Sequence, residues 1–208
     1  MGVPVLIYGR SGTGKSRSLK RFGEEEITLI NVERKPLPFR KKFKYIINSD
    51  NYDKIKSALK KSPSKSIIID DAGYLLTNTF MRGHSTRGGG SSTYDLYNEI
   101  GDKFWDLFEF TKDLPDDKIV YIVMHEEENN SGGFKLKMLG RLLEEKVCVE
   151  GMVTIAIRCM CEDSRHFFRV HTDGSDITKT PEDMFEEDEI DNDLKLVDTT
   201  IREYYDLK

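Results

Sequence analysis

The chain has 208 residues, of which 38% are hydrophobic and 33% are charged, and its formal net charge is −5. This length and composition favour one globular domain with an appended tail. No apolar run approaches the roughly 20 residues of a membrane-spanning helix, and no secretory leader pattern is present. The three cysteines are odd in number and lack a CxxC spacing, so we expect free thiols in a reducing cytoplasm.

The net charge hides an asymmetry between the two parts of the chain. Residues 1–65 carry 16 Lys and Arg against 6 Asp and Glu, whereas residues 66–208 carry 16 against 31. A basic part fits a polyanionic partner, and an acidic part argues against a surface that coats nucleic acid uniformly. Solvated faces are the alternative explanation of both.

Apolar runs typical of β-strands alternate with helix-compatible segments along the chain. Strands that alternate with helices predict an α/β fold, with a mainly parallel central sheet covered by helices on both faces. The last two strand-like runs are joined only by a short turn at 162–164, which predicts an antiparallel C-terminal hairpin. The predicted strands are 3–8, 27–32, 43–47, 66–69, 119–124, 147–157 and 166–170, and the predicted helices are 16–22, 52–61, 94–111 and 134–145.

Two segments are typical of mobile loops, and the end of the chain is acidic. Residues 82–92 and 126–133 are rich in Gly, Ser and Asn. Beyond residue 180 the chain has 11 Asp and Glu against 3 Lys and Arg, yet its apolar residues keep a helical spacing. We therefore predict a core over residues 1–180 and an acidic helical extension, docked on that core, over residues 181–208.

Residues 9–16 read Gly-Arg-Ser-Gly-Thr-Gly-Lys-Ser, which matches the phosphate-binding pattern GxxxxGKS. An apolar strand-like run leads into the pattern and a helix-compatible stretch follows it. Backbone N–H groups of such a loop point at phosphate oxygens, the lysine reaches the β- and γ-phosphates, and the serine hydroxyl ligates Mg²⁺. The alternative is a glycine turn with an incidental lysine. The predicted nucleotide-binding residues are Gly9, Arg10, Ser11, Gly12, Thr13, Gly14, Lys15 and Ser16.

A nucleotide site of this kind also needs a carboxylate that orients Mg²⁺ at the end of another central strand. Asp70 directly follows the apolar run at 66–69 and is the candidate, with Ser16, for the metal site. Asp71 is a candidate for holding a water molecule near the metal. Capping of the next element is the alternative role of Asp70.

The activation of water requires a further carboxylate, and two candidates follow strand-like runs. These are Glu33 and Glu126, and we favour Glu33. His125 lies where a central strand meets the predicted site, so it is a candidate contact to the γ-phosphate, with a purely structural role as the alternative. The NKxD pattern that reads guanine is absent, which favours ATP, with Mg²⁺, as the cofactor.

A basic segment surrounds two prolines in the first third of the chain. Arg34 and Lys35 precede the two prolines, and Arg40, Lys41, Lys42 and Lys44 follow them. This segment is either a patch for nucleic acid or a neighbouring subunit, or an exposed loop with solvated lysines.

With these residues placed, the chain resembles the phage-encoded RecA-core P-loop ATPases. They belong to the AAA-type phage ATPase group, which includes RecA-like single-strand annealing proteins. The resemblance spans about residues 3–190. It rests on residues 9–16, 31–39, 67–71, 97–101, 125–127 and 179–181, together with Met184 and Phe185.

The resemblance implies a RecA-like sheet, ATP hydrolysis, assembly into a homo-oligomeric ring or filament, and a role with single-stranded DNA in phage recombination or replication, in the host cytoplasm. It maps the catalytic glutamate to Glu33. It also implies DNA-binding loops after the Asp70 strand and after the His125 strand, with Arg82, Arg87, Lys135 and Lys137 as the candidate cations. Arg169 and Lys179 become candidates for completing a neighbour's site.

Two features of this sequence depart from the DNA-binding pattern. The second loop begins with three consecutive glutamates, which hold a phosphate backbone poorly. Neither loop has the aromatic residue flanked by basic residues on which single strands stack, and Phe134 comes nearest. Two alternatives therefore stay open: an ATP-dependent protein-remodelling factor, such as a helicase loader or recombinase mediator, and a non-catalytic nucleotide-gated assembly module.

Overall fold

A computed structural model of the chain describes residues 1–86 and 91–208. It contains nine strands, four α-helices and three short helical turns in these residues. The strands are β1 (Val3–Gly9), β2 (Ile27–Asn31), β3 (Tyr45–Ile47), β4 (Ser66–Asp70), β5 (Ile119–Glu128), β6 (Phe134–Leu136), β7 (Ile155–Glu162), β8 (Arg165–Arg169) and β9 (Glu189–Asp191). The α-helices are α1 (Tyr52–Lys61), α2 (Gly73–Gly83), α3 (Ser91–Lys112) and α4 (Leu194–Tyr204), and the short turns are Ser16–Arg21, Leu142–Lys146 and Glu150–Met152.

The strands form one mixed, mostly parallel sheet. Its order is β3-β2-β4-β5-β1-β7-β8-β9, and β6 pairs with the end of β5. The pairs from β3 to β7 are parallel, whereas β5–β6, β7–β8 and β8–β9 are antiparallel. The chain is therefore an α/β protein, as the alternation of apolar runs predicted, and the antiparallel hairpin β7–β8 is confirmed.

Both faces of the sheet are covered, because its central strands are apolar on both sides. One core cluster packs α1, α2 and α3 against residues such as Leu6, Ile69 and Ile122. The other packs α4 and the short helix after β1 against residues such as Ile7 and Ile68. With helices on both faces, the carboxyl ends of the parallel strands remain open for a ligand.

A buried polar cluster fastens α4 to the sheet. Asp198 accepts hydrogen bonds from Ser66 Oγ at 2.7 Å and from Tyr121 Oη at 2.9 Å, and Arg202 Nε donates to its other oxygen at 2.8 Å. Burial, followed by the nearby Asp198 carboxylate, raises the pKa of Tyr121 well above its usual value, so the phenol stays a donor. The predicted docking of a C-terminal helix is confirmed.

Several predicted elements have different bounds in the structure. Helix α1 has the predicted limits, but α2 occupies part of the segment predicted as the loop 82–92, and the helix predicted over 134–145 is wrong at its start. There, β6 extends a hairpin from β5, which itself runs to Glu128, so the first three residues of the predicted loop 126–133 are strand. The strand predicted from 147 begins only at Ile155.

The three cysteines are free thiols. Cys159 is fully buried as a core residue, whereas Cys148 and Cys161 are exposed. Within residues 1–86 and 91–208, no helix combines the length and apolar character needed to cross a membrane.

Candidate functional site

The glycine-rich loop (residues 9–16) leaves the carboxyl end of β1 in the middle of the sheet. Gly12 and Gly14 have φ angles of 83° and 106°, in the region that residues with a side chain rarely adopt. A Cβ atom at Gly14 would also lie 2.8 Å from the His166 ring. The loop therefore requires glycine at this position for both backbone and steric reasons.

Lys15 is folded back into the loop that carries it. Its Nζ donates to the carbonyl oxygens of Gly9 at 2.8 Å and Arg10 at 2.7 Å, and it lies 3.4 Å from His125 Nδ1. The residue is buried, and this burial lowers the pKa of the ammonium group. A desolvated cation held by carbonyls at the mouth of a loop is positioned to meet an anion.

Ser16 and Asp70 meet although 54 residues separate them in the chain. Ser16 Oγ donates to Asp70 Oδ1 at 3.1 Å, because β4 places Asp70 at its carboxyl end. Burial, and then the neighbouring Asp71 carboxylate, raise the pKa of Asp70 to about 6. A hydroxyl and a carboxylate in contact are oxygen ligands of the kind that Mg²⁺ prefers, and a cation there would relieve the repulsion between the two carboxylates.

Asp71 turns sharply out of β4, with a φ angle of 58°. His125 Nε2 lies 3.3 Å from its Oδ1, and Lys35 forms an ion pair with its other oxygen. Burial alone would raise the pKa of Asp71, but the contacts with His125 and Lys35 outweigh it and hold the pKa below its usual value. Asp70 and Asp71 are therefore adjacent carboxylates whose pKa values are shifted in opposite directions, upward for Asp70 and downward for Asp71.

His125 joins the loop to the end of β4. It stands opposite Gly9 in the register of β1 and β5, and its two ring nitrogens face Lys15 and Asp71. A lysine donor at Nδ1 and a carboxylate at Nε2 assign the tautomer that carries hydrogen on Nε2. His125 was predicted to lie where a central strand meets the site; in the structure it lies within β5, which continues to Glu128, and it faces the glycine-rich loop.

The two candidate glutamates have different surroundings. Glu126 is buried and accepts two hydrogen bonds from the Arg158 guanidinium, at 2.8 and 3.0 Å. Glu33 is half-buried beyond β2, where Asn78 Nδ2 donates to its Oε1 at 3.0 Å and also to Asp50 Oδ2 at 3.0 Å. Glu126 thus has both oxygens committed to one cation, whereas Glu33 has a neutral partner.

Three residues from the last third of the chain brace the outer side of the loop. His166 Nδ1 donates to the Thr13 carbonyl oxygen at 2.7 Å, and Cys159 Sγ lies 3.3 Å from the same oxygen. Asn192 contacts Cys159 Sγ and accepts from Arg17 at 3.3 Å. Sequence reasoning missed these residues, since nothing in their local pattern indicates contact with a loop 146 or more residues away.

Two neighbouring cavities open at this edge of the sheet. The first, of 390 Å³, is lined by loop residues including Lys15 and Ser16, and by Lys35, Asp71 and His166. The second, of 460 Å³, lies beyond His125 and carries both apolar and charged groups. Its lining includes Arg10, Lys35, Tyr74, Glu126, Lys137 and Met138. The first has the size and the cations for a polyphosphate.

The other predicted cations are dispersed. Arg82 lies in the last turn of α2 and pairs with the buried Asp50, and Lys135 on β6 lies 3.2 Å from Glu127. Lys137 lines the second cavity, and Arg87 lies outside the described residues. Of the predicted trans-acting residues, Arg169 pairs with Asp173 at 2.8 Å and Lys179 forms a backbone bridge with Ala156.

Arg10, predicted to bind nucleotide, points from the loop towards the β5–β6 hairpin. Its guanidinium lies 3.4 Å from Glu128 and 5.1 Å from the centre of the Phe134 ring. Its side chain is still 59% exposed. The contact ties the loop to the hairpin and leaves the guanidinium at the mouth of the second cavity.

Taken together, the structure brings Lys15, Ser16, Asp70, Asp71 and His125 into one connected group. Among the described residues, no set of three or more His, Cys, Asp or Glu side chains is arranged to hold a metal ion without a ligand's help. Ser16 and Asp70 would each contribute one oxygen ligand to a metal ion whose remaining ligands are phosphate oxygens or water. Comparison with models of known protein families, and with curated proteins, found no match.

Proposed function

We propose that this chain binds ATP with Mg²⁺ at the glycine-rich loop and hydrolyses it. The observation that carries the proposal is the contact of Ser16 with Asp70, beside a buried Lys15, at the carboxyl ends of parallel strands. Open α/β sheets bind ligands at this edge, where the strand order reverses. Here β1 separates the strands of residues 27–128 from those of residues 155–191. A RecA-like P-loop fold is the finer description that we propose for this arrangement.

Each residue has a role that follows from its chemistry. Loop N–H groups and Lys15 would bind the phosphates, and Ser16 with Asp70 would hold Mg²⁺, which supplies charge neutralisation at the phosphates when bound. Asp71 and His125 would orient groups around the γ-phosphate, because their hydrogen bonds already link them to Lys15. For Lys15 to reach a phosphate, it must exchange its two carbonyl partners for phosphate oxygens.

Glu33 is the proposed water-activating residue, because its competitor is committed to an ion pair. The bidentate bond to Arg158 occupies both oxygens of Glu126, so a water molecule would have to compete with the guanidinium for them. We expect Glu33→Gln to reduce ATP turnover by at least about 100-fold with little change in stability. Glu126→Gln, the matched variant, should instead lower the melting temperature. Loss of turnover only in the Glu126 variant, with its fold intact, would reverse the assignment.

The first test of ATP hydrolysis is the substitution Lys15→Ala. Removing the ammonium group that would contact the transferred phosphate should reduce turnover by at least about 100-fold. Lys20→Ala removes an exposed lysine from the short helix that follows Lys15 and is the control. Phosphate release should be measured for both variants with confirmed folds. Undiminished turnover in Lys15→Ala would overturn the assignment of the loop.

Single-stranded DNA as the substrate of the ATP-driven step is the second part of the proposal, and it rests on the resemblance. The ion pairs of Arg82 and Lys135 favour the alternative, a protein-remodelling ATPase, since these cations are already neutralised. Phosphate release with and without single-stranded DNA separates the two. Stimulation by DNA supports the DNA role, whereas turnover indifferent to DNA, but raised by a protein partner, supports remodelling.

A further inference from the structure

An exposed thiol faces the histidine that braces the glycine-rich loop. Cys161 on β7 stands opposite His166 on β8 in the antiparallel register, and its Sγ lies 4.0 Å from His166 Nε2. Because Nδ1 of this ring donates to the Thr13 carbonyl oxygen, Nε2 of the neutral imidazole is an acceptor that faces the thiol. Cys161 therefore has a base within reach, and a third group orients that base, as in activated cysteine nucleophiles.

The other two cysteines lack this arrangement. Cys159 is fully buried, and this burial raises the pKa of its thiol to about 11. Cys148 is exposed like Cys161, but partial burial, followed by a contact with the Glu150 carboxylate, raises the pKa of its thiol. Among the described residues, an exposed sulfur and an imidazole base thus meet at Cys161 and not at the other two thiols.

A cationic cavity of 340 Å³ adjoins the His166 ring. Its lining contains three cations, Arg17, Lys20 and Arg21, against one carboxylate, Asp191. Arg17 donates to a neutral side chain, and Lys20 forms no salt bridge with another described residue. A cavity lined mainly by cations concentrates small anions beside the thiol–imidazole pair.

The cationic cavity shares a wall with the phosphate cavity of the glycine-rich loop, because Arg17 and His166 line both. A carboxylate-bearing group attached to Cys161 would lie against this shared wall, where it would compete with phosphates for the cations. It would also replace the hydrogen through which the thiol contacts His166 Nε2. Both changes act on the residue that holds the Thr13 carbonyl group of the loop.

We propose that Cys161 is a site of reversible modification by small disulfides that carry carboxylates, and that this modification weakens nucleotide binding at the loop. The thiol proton passes to His166 Nε2, and the thiolate attacks one disulfide sulfur. The S–S bond breaks, and the released thiolate takes the proton from His166. One mixed disulfide and one free thiol result, so no further oxidant is needed. The site itself is independent of ATP, whereas its effect on nucleotide binding rests on the proposed function.

Mass spectrometry of the reacting protein tests the site. With dithiodipropionate, which carries two carboxylates, Cys161 should react at least about tenfold faster than Cys148 at neutral pH, where an unassisted thiol is only roughly a few per cent thiolate. His166→Gln removes the base and should abolish this advantage. His171→Gln is the matched control, since His171 contacts Asp188 instead, and it should leave the advantage unchanged.

The charge of the disulfide tests the cationic cavity. Cystamine has the same chain length as dithiodipropionate but carries two ammonium groups. Each rate at Cys161 is divided by the rate of the same disulfide with a model cysteine peptide, which cancels its intrinsic reactivity. The normalised rate should be at least about fivefold higher for the anionic disulfide at low salt, and Lys20→Glu should reduce this preference.

The effect on the loop is measured on the same samples. Modified wild-type protein should bind ATP with Mg²⁺ at least about tenfold more weakly, and a thiol reductant should restore binding. Cys161→Ser should bind nucleotide as untreated wild type does and should not respond to the disulfide, whereas Cys148→Ser should respond fully. Amide hydrogen exchange of residues 9–16 should become faster on modification, with or without nucleotide, because the brace on Thr13 is weakened.

Any of three results would overturn the inference. The first is equal reaction of Cys148 and Cys161, and the second is an advantage of Cys161 that survives His166→Gln. The third is complete modification of Cys161 that changes neither nucleotide binding nor the hydrogen exchange of the loop. If untreated protein binds no nucleotide, the ATP proposal fails, while the two thiol rates and the hydrogen exchange still decide the inference.

Discussion

Two buried polar clusters lie near opposite ends of the same strands, and each contains a serine that donates to a buried aspartate. In the helix cluster, Ser66 donates to Asp198 at 2.7 Å. In the loop cluster, Ser16 donates to Asp70 at 3.1 Å. The first cluster fastens α4 to the sheet, and the second stands at the mouth of the glycine-rich loop.

The clusters differ in how well their charges are compensated. Both oxygens of Asp198 have donors, from Tyr121 and Ser66 on one side and Arg202 on the other. Asp70 has a hydroxyl donor and a second carboxylate beside it, and its pKa is raised to about 6. The helix cluster therefore stabilises the fold, whereas the loop cluster costs stability that a bound cation would recover.

The largest expected effect is in the helix cluster. Asp198→Ala should lower the free energy of unfolding by about 3–5 kcal/mol, because it leaves the buried Tyr121 and the half-buried Arg202 without their shared acceptor. Denaturant unfolding measures the change, with Glu203→Ala, an exposed carboxylate on the same helix, as the control. A loss below about 1 kcal/mol would show that water replaces the carboxylate and that the two clusters are alike.

An effect of opposite sign is expected in the loop cluster. The pKa of Asp70 is raised from 3.8 to about 6 by burial and by Asp71, so the folded state binds the proton more tightly than the unfolded state. The stability of the wild-type protein therefore falls as pH rises through this interval, and the cost is fully present above about pH 6. Asp70→Asn should gain up to about 3 kcal/mol at neutral pH and almost nothing at about pH 4.

Unfolding of Asp70→Asn at both pH values, without Mg²⁺ or nucleotide, checks this expectation. Asp102→Asn, an exposed substitution of the same kind, controls for the change in net charge. A variant that is less stable than wild type at neutral pH would contradict the contrast between the clusters. The same variant should also lose Mg²⁺-dependent nucleotide binding if Asp70 holds the metal.

The smallest effects belong to the two serines. Ser66 Oγ both donates to Asp198 and accepts from Arg202 at 2.8 Å, so Ser66→Ala should cost about 1–2 kcal/mol. Ser16→Ala should cost less than about 1 kcal/mol in stability, since Ser16 is half-buried and makes one longer bond. It should nevertheless abolish Mg²⁺-dependent nucleotide binding. Equal losses of stability in Ser66→Ala and Ser16→Ala would contradict the difference between the helix cluster and the loop cluster.

Local patterns predicted the parts of the molecule whose causes are local. The limits of α1 follow from its Asn51 cap, which accepts from Lys54 N at 2.9 Å, and from a clear apolar spacing. The order of strand, glycine-rich loop and short helix follows from its motif, and the position of Asp70 follows from the apolar run before it. These features needed no knowledge of distant residues.

The features that sequence reasoning missed depend on contacts between distant residues. Residues 134–145 have apolar positions that suit a helix, but pairing with β5 makes their first part a strand. The partners of the candidate glutamates, Arg158 and Asn78, lie 32 and 45 residues away in the chain and have no local signature. Pairing of Arg82 with Asp50 likewise depends on a contact across 32 residues.

The bracing of the loop by His166 has a consequence for the order in which the protein becomes competent during synthesis. Strand β1 is made before its neighbours β5 and β7, which begin only at residues 119 and 155. The carbonyl oxygen of Thr13 accepts its hydrogen bond from His166, which lies 153 residues further along the chain. Such long-range closures are slow to form. The loop is thus made before the residues that brace it, and it reaches its final shape only after His166 has been added to the chain.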